Sequence, residues 1–264
     1  MQTRRTFLAT LAGASAFALA ACGGSKDEAT EAPAEAPAAA AAGDGTDAKG
    51  DGVMTYDEYM AAAVDDEVVI EAFVQGKQSW WEDKATIYAA DADGAYFIYN
   101  AECSEDDYAK LVDGQKIKVI GYKAEWSGEI EVAEGATIEI EDGSYIAEAV
   151  DVTDKLGTDE LIDFQNQKVA FKGMTVEPST DPDGKEVAYL FNWDGSGAAG
   201  DDLYFNVSKD GETYSFTVES YLCGEDTDVY KAVQALNIGD VVDLEGFLYW
   251  YEGANPHITS VTVA

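Results

Sequence analysis

Aromatic side chains next to carboxylates are the residues of this chain best suited to hold a ligand. They lie in three short segments between apolar runs, and these segments contain four of the five tryptophans. Such rings stack on sugar faces while neighbouring acids accept hydrogen bonds from hydroxyls, and they also anchor protein contacts. Alternatively, the rings fold back onto the domain that carries them. The residues concerned are Trp80, Trp81, Trp126, Tyr249, Trp250 and Tyr251.

No motif in the sequence predicts catalysis or metal binding. GxSxG, P-loop and HExxH patterns are missing from the sequence, and the cysteines form no CxxC or Cys/His cluster that would hold zinc. The single histidine, His257, is interpreted as a structural or surface residue. We therefore predict a non-enzymatic protein without cofactor or metal. A carboxylate-dependent hydrolase stays an alternative, because acids are abundant but in no specific arrangement.

The N-terminal segment has the pattern of an export signal. Arg4 and Arg5 precede an apolar run from Leu11 to Ala21, and small residues lead to Cys22. This order resembles the twin-arginine and lipoprotein signals of bacteria. The resemblance implies a signal peptide over residues 1–21, a lipid on Cys22 and a location at the outer face of the cytoplasmic membrane, the periplasmic side where two membranes are present. The alternative is a plain secretory signal.

Charge restricts the expected partners. The net charge is −36, and the only two arginines lie in the signal. Binding to nucleic acid needs clustered Lys and Arg, so we expect no nucleic-acid partner. Residues 22–52 combine Ala, Pro, Gly and acids without any aromatic residue, which predicts a disordered tether. The expected partners are the membrane, through the lipid, and a protein or neutral glycan.

The rest of the chain divides into two copies of one plan. Three glycines at a spacing of seven occur in each copy, after a cysteine and an acidic helix start. This order predicts a duplication, with domains over 53–143 and 156–264 and a linker over 144–155. The corresponding residues are Cys103, Gly114, Gly121 and Gly128 in the first copy and Cys223, Gly239, Gly246 and Gly253 in the second.

Each copy reads as three strands, a helix and two strands, which is the element order of the OB-fold. In the second copy the predicted strands are Lys168–Val176, Glu186–Phe191, Thr213–Val218, Asp240–Leu248 and His257–Val263, with Leu203–Val207 as an additional strand. The chain resembles exported bacterial lipoproteins with tandem OB-fold-like domains, so the predicted fold is mainly β, with two five-stranded barrels. A pair of immunoglobulin-like sandwiches is the alternative.

The resemblance implies that the aromatic segments are the loops after strands one and four, where OB-folds bind ligands. Cys103 and Cys223 occupy matching places, so they either form a disulfide across a pseudo-twofold axis or stay buried free thiols. We predict a lipid-anchored extracytoplasmic binding or scaffold protein that presents these loops to a glycan or protein. The alternative function is an accessory subunit of an envelope complex.

Overall fold

The structure, a computed structural model, describes residues 49–264. The predictions for Cys22, the signal and most of the tether lie outside these residues. The first described residue already contacts the folded part, because the Nζ of Lys49 lies 2.6 Å from the Oδ2 of the buried Asp91. Within residues 49–264, no helix has the length and apolar character needed to cross a membrane.

The first half is a closed five-stranded barrel, called barrel 1. Its elements are α1 (Tyr56–Ala61), β1 (Glu67–Lys77), β2 (Lys84–Ala90), β3 (Ala95–Glu102), α2 (Glu105–Tyr108), β4 (Gln115–Trp126), β5 (Glu129–Val132) and β6 (Thr137–Ser144). The strands pair in the order β1–β2–β3–β5–β4, and β4 pairs with β1 to close the ring. β6 continues the path of β5 and pairs with β4 and β3.

The second half, barrel 2, repeats this ring in the order β8–β12–β13–β15–β14, closed by the pairing of β14 with β8. Both rings have the antiparallel pairs and the one parallel contact of an OB-fold, so the predicted fold class is confirmed. The ring elements are β8 (Lys168–Glu177), β12 (Leu203–Lys209), β13 (Glu212–Val218), α3 (Asp228–Gln234), β14 (Val241–Phe247) and β15 (His257–Val263). The other elements are β7 (Val150–Asp151), 3₁₀ turns Thr153–Lys155 and Asp159–Phe164, β9 (Ser179–Thr180), β10 (Glu186–Val187) and β11 (Leu190–Phe191).

The repeated glycines have matching roles in the two barrels. Gly114 and Gly239 have positive φ angles of 84° and 92° before the fourth strand, a conformation that suits glycine. The middle pair is crowded instead: a Cβ on Gly121 would lie 2.6 Å from Val132, and one on Gly246 would lie 2.2 Å from the next strand. The glycine spacing thus reflects one backbone path built twice.

One local prediction needs correction. The second strand of barrel 2 is β12, which the sequence indicated only as an additional strand, whereas the predicted strand Glu186–Phe191 is divided into the short β10 and β11 outside the ring. The segment Asp159–Phe164 before β8 forms a 3₁₀ turn. At the start of barrel 1, Thr55 and Glu58 exchange hydrogen bonds at the N-terminus of α1 and so form a capping box.

Each barrel has its own hydrophobic core, filled by alternate residues of its strands. Ile87, Tyr96 and Ile98 point into barrel 1, whereas Phe205 and Phe216 point into barrel 2. The residues between these positions face outward, and their burial shows whether an outer face is covered or accessible to a ligand. The segment after barrel 1 is also packed, because the ring of Tyr145 contacts the ring of Phe73 at 5.5 Å.

Candidate functional site

The first aromatic loop of barrel 1 contains two tryptophans with different surroundings. Trp81 pairs with Lys84 across a tight turn, and its side chain is 62 % exposed. Trp80 is half-buried, and its indole Nε1–H donates to the carbonyl oxygen of Cys103 at 3.0 Å. Trp80 is therefore held against barrel 1, while Trp81 is available to a partner.

The second loop of barrel 1, which follows Trp126, is packed against barrel 2. Trp126 itself is half-buried. The backbone N–H of Glu252 donates to the carbonyl oxygen of Ser127 at 2.8 Å. The indole of Trp250 lies so close to Gly128 that an added Cβ would be 2.8 Å from the ring. This loop contributes to the contact between the barrels.

The third loop, in barrel 2, joins the same contact. The Tyr249 ring stacks on His257 at 4.6 Å and meets Phe97 of barrel 1 edge-on at 5.2 Å. Trp250 is half-buried, and Tyr251 is 50 % exposed. The six rings therefore differ in their surroundings, because Tyr249 and Trp250 contact barrel 1 whereas Trp81 and Tyr251 are exposed.

The contact between the barrels is called the seam. At its centre the outer faces of β2 and β3 meet barrel 2 through three buried rings. Tyr88 and Phe247 are parallel, with ring centroids 4.3 Å apart and an interplanar angle of 4°. Phe97 packs beside Tyr88 at 4.9 Å. In OB-folds the face of strands two and three is the usual ligand face, so in barrel 1 this face is closed by barrel 2.

The sequences of β2 and β3 carry a signal for the seam. Ala85–Ala90 and Ala95–Tyr99 are nearly continuous apolar runs, which are typical of strands covered on both faces. The pattern indicates that something covers the outer face of β2 and β3. It cannot indicate which part of the chain does so, because periodicity is a local property.

Glu129 crosses the seam from barrel 1. Its side chain is 0 % exposed, and its Oε2 accepts hydrogen bonds from the backbone N–H of Trp250 at 2.8 Å and from the Nε2 of Gln165 at 3.3 Å. Burial, followed by the charge of the nearby Glu131, raises the pKa of Glu129 to about 8. Glu129 therefore carries a proton at neutral pH for much of the time.

Glu219 has the converse arrangement, because it crosses the seam from barrel 2. Its carboxylate accepts from the backbone N–H groups of Leu222 at 2.9 Å and Tyr221 at 3.3 Å, and the side chain of Gln78 in barrel 1 hydrogen-bonds to it. Burial, followed by the charge of Asp202, raises the pKa of Glu219 to about 7. The seam thus contains one protonatable carboxyl group from each barrel.

His257 is a third buried titratable group of the seam and is a structural residue. It is 6 % exposed, and its Nδ1 is 3.0 Å from the hydroxyl oxygen of Tyr88. Burial lowers the pKa of His257 to about 3, so the imidazole is neutral at physiological pH. Although such shifted groups often mark catalytic sites, these carboxyls and this imidazole are buried by the closed seam.

The equivalent face of barrel 2 is open and polar. Three cross-strand pairs of β12 and β13 point outward: Tyr204 with Thr217, Asn206 with Ser215, and Ser208 with Thr213. All but Thr217 are half-buried or exposed. Hydroxyl and amide groups on a strand face are suited to hydrogen-bond a polyhydroxylated ligand. We call this surface the polar face.

Two loops border the polar face. The β14–β15 loop reaches it through Asn255, whose Oδ1 accepts from the hydroxyl of Thr217 at 3.0 Å. The insertion between β8 and β12 reaches it where the hydroxyl of Ser179 accepts from the Nδ2 of Asn206 at 3.2 Å. This insertion also carries Trp193, which is 75 % exposed. The sequence analysis missed this surface because it treated β12 as an additional strand.

The remaining sequence candidates are resolved by burial. Cys103 and Cys223 are free thiols that lie in the separate cores of barrel 1 and barrel 2. Of the two alternatives for this pair, the structure has the buried free thiols. Among residues 49–264, no group of three His, Cys, Asp or Glu side chains is placed to hold a metal. The carboxylate of Asp91 accepts hydrogen bonds from the backbone N–H groups of Asp93 and Gly94 in its own turn.

No protein-family model and no curated protein matches this chain. Solved structures with a similar fold include the p204 HINb domain, at 11% identity and a TM-score of 0.35, covering 77% of this chain and 100% of that one. The Ifi202 HINa domain in complex with 20bp dsDNA matches at 10% identity and a TM-score of 0.34, covering 75% and 98%. A murine DNA binding protein bound with ds DNA matches at 12% identity and a TM-score of 0.35, covering 74% and 96%.

These comparisons correct one expectation. The charge argument excluded nucleic acid as a partner, yet chains with a similar arrangement are solved with double-stranded DNA. The exclusion is therefore contradicted and is not retained. At such low identities and TM-scores, what those chains bind carries no inference about the ligand of this one.

Proposed function

We propose that this chain is a lipid-anchored extracytoplasmic binding protein and that the polar face of barrel 2 is where a neutral glycan binds. One observation carries the proposal: barrel 1 has its strand face closed by the seam, while the equivalent face of barrel 2 is open and lined by hydroxyl and amide groups. The exposed Trp193 and Tyr251 lie on the two bordering loops. Rings in such positions stack on sugars while the polar row accepts and donates hydrogen bonds.

The binding test compares the polar face with the first aromatic loop. A panel of neutral oligosaccharides is screened by tryptophan fluorescence, and affinities are measured by calorimetry. Replacing Asn206→Ala or Trp193→Ala is expected to weaken binding about tenfold or more, or ~1.4 kcal/mol, because each change removes one contact type. The matched control is Trp81→Ala, which removes an equally large exposed ring from barrel 1 and leaves affinity unchanged.

Two outcomes contradict the binding proposal. If Trp81→Ala alone weakens binding, the ligand lies on barrel 1 and the polar face is not the site. If no neutral glycan binds to the wild-type protein, the exposed rings at Trp81, Trp193 and Tyr251 fit the accessory-subunit alternative better, since large exposed apolar side chains favour a protein interface.

Membrane attachment is a separate prediction. The pattern of Arg4, Arg5 and Cys22 supports a lipid anchor, and Cys22→Ala removes the only thiol that would carry it. The variant is expected to move from the membrane fraction to the soluble extracytoplasmic fraction of a bacterial host, while Cys103→Ala stays at the membrane. Equal membrane association of both variants would refute lipidation at Cys22.

A further inference from the structure

We propose that the seam is a proton-operated clasp: protons bound by Glu129 and Glu219 hold barrel 2 closed over the strand face of barrel 1, and loss of both protons opens it. This inference concerns the relation between the barrels. It does not depend on the polar face or on the identity of the ligand bound there.

The first half of the clasp is the contact made by Glu129. Its carboxyl group stands at the end of β5 in barrel 1, yet its hydrogen-bond donors, Trp250 and Gln165, belong to the barrel 2 half. Both donors bind the same oxygen, Oε2, whereas Oε1 is buried without a close hydrogen bond, and the side chain of Asn166 is the polar group that interacts with the carboxyl group there. Ionisation would place negative charge on a buried oxygen with weak compensation, which costs more than burying the neutral acid.

The second half of the clasp is the contact made by Glu219. Its carboxyl group organises the turn that follows β13 by accepting from the backbone of Tyr221 and Leu222. That turn touches barrel 1 directly, because the carbonyl oxygen of Tyr221 accepts from the backbone N–H of Ser79 at 2.7 Å. Barrel 1 also hydrogen-bonds to Glu219 through Gln78. Each barrel therefore inserts one carboxyl group into hydrogen bonds from the other.

No positive charge neutralises either group in the described part of the chain. Glu131 on β5 faces Glu129, and the phenols of Tyr56, Tyr59 and Tyr88 lie within its electrostatic reach. The groups around Glu219 are Asp202, Tyr88, Tyr204 and Cys223. From barrel 2, Glu129 meets only the neutral Gln165, Asn166 and Trp250. Every charged neighbour is thus an acid, which disfavours ionisation further.

The direction of the pH dependence follows from linkage. In the closed state burial raises the pKa of Glu129 to about 8 and that of Glu219 to about 7, whereas solvated carboxyls of the open state ionise near 4.3. The closed state therefore binds more protons. Closure is favoured at low pH and is lost as pH rises through 7 and 8. Above the pKa of each group in the closed state, the equilibrium constant for closing falls by up to about tenfold per pH unit for that group.

His257 has the opposite dependence, but in a different pH range. Its pKa is lowered to about 3 in the closed seam, and an exposed imidazole titrates near 6.5. Closure is therefore opposed by His257 only below pH 6.5. Above that value the imidazole is neutral in both states, so measurements between pH 6.5 and 9 isolate the two carboxyl groups.

Opening would uncover an aromatic surface. Tyr88 and Phe97 lie on the outer face of β2 and β3, and Phe247 leaves them when the barrels separate. Because each barrel keeps its own core, the separation needs no unfolding of either. In the closed state, only the polar face of barrel 2 is exposed. At higher pH the separated barrels would expose the outer face of β2 and β3 in barrel 1 as well.

The test uses the full chain at pH 6.5 and pH 9, with small-angle X-ray scattering for shape and circular dichroism for the barrels. The wild type is expected to have a larger radius of gyration at pH 9 with an unchanged strand signal. The double variant Glu129→Gln/Glu219→Gln is expected to stay closed at both values, because glutamine resembles the protonated acid. The matched control Glu105→Gln/Glu212→Gln, which changes two exposed acids, is expected to open like the wild type.

A second measurement reads the protons directly. Carboxyl ¹³C NMR of the wild type is expected to show two glutamates that titrate between about pH 6.5 and 8.5, and each single glutamine variant removes one of them. The proposal is overturned if all glutamates titrate below pH 6, if the wild-type shape does not change with pH, or if the double variant opens like the wild type. Since the NMR measurement needs only the wild type, misfolding of a variant leaves the proposal testable.

Discussion

Replacing Gly246 by alanine is expected to unfold barrel 2 or to lower its unfolding free energy by about 3 kcal/mol or more. A Cβ at this position would lie 2.2 Å from the carbonyl oxygen of His257 and 2.7 Å from the Cα of Ile258. Both atoms belong to the backbone of β15, and the pairing of β14 with β15 shifts register at this place. No side-chain rotation relieves such a contact, so two paired strands must separate.

Gly224→Ala is the matched control for this change. Its Cβ would meet no atom closer than 3.6 Å, and its φ is not positive, so we expect a change within about 0.5 kcal/mol. The measurement is urea unfolding followed by tyrosine and tryptophan fluorescence. Equal midpoints for Gly246→Ala and the wild type would show that the two strands are not as close as the structure has them.

Replacing Phe247 by alanine is expected to lower the unfolding free energy by about 3–5 kcal/mol, the range for a buried phenylalanine. We expect the change to weaken the contact between the barrels more than the fold of either barrel. Phe247 is buried and stacks on Tyr88, but it belongs to the seam cluster and not to the core of barrel 2. The variant should therefore keep its strand content while the barrels separate. Unfolding is then expected to show two transitions where the wild type shows one.

Phe216→Ala distinguishes a seam effect from a core effect. Phe216 is as well buried but lies in the core of barrel 2, so its loss should destabilise that barrel without separating two folded units. Calorimetry and small-angle scattering at pH 6.5 compare the two variants. If Phe247→Ala keeps a single transition and the wild-type radius of gyration, the stacking with Tyr88 does not hold the barrels together.

Much of the fold was predictable because its signals are local. Alternating strands, acidic helix starts and glycines at a spacing of seven recur in order, and each marks a requirement of the nearby backbone. Gly114 and Gly239 illustrate this point, since both have the left-handed conformation before the fourth strand. The error at Glu186–Phe191 has the converse reason. Glu186–Phe191 and Leu203–Lys209 both have a strand-like composition, but the barrel has only one second strand. Leu203–Lys209 is that strand because it pairs with β8 and β13.

Less of the candidate site was predictable. Loop position left open whether each ring is exposed or packed. The structure has Trp81 and Tyr251 exposed, whereas Tyr249 and Trp250 pack in the seam. Glu129 and Glu219 were not distinguishable among 52 acids. A carboxyl group acquires an unusual pKa from the residues that bury it, and those residues come from the other barrel.

By itself, the sequence determined that the chain forms two similar barrels in tandem, because backbone requirements such as a left-handed glycine or a capping box depend on neighbours in the chain. Only the tertiary structure decided that barrel 2 closes the strand face of barrel 1, that the polar face stays open, and that two buried acids accept hydrogen bonds from each other's barrels. The physical reason is burial. Which surface is removed from water depends on how two finished barrels pack, and solvation then sets the protonation of Glu129, Glu219 and His257.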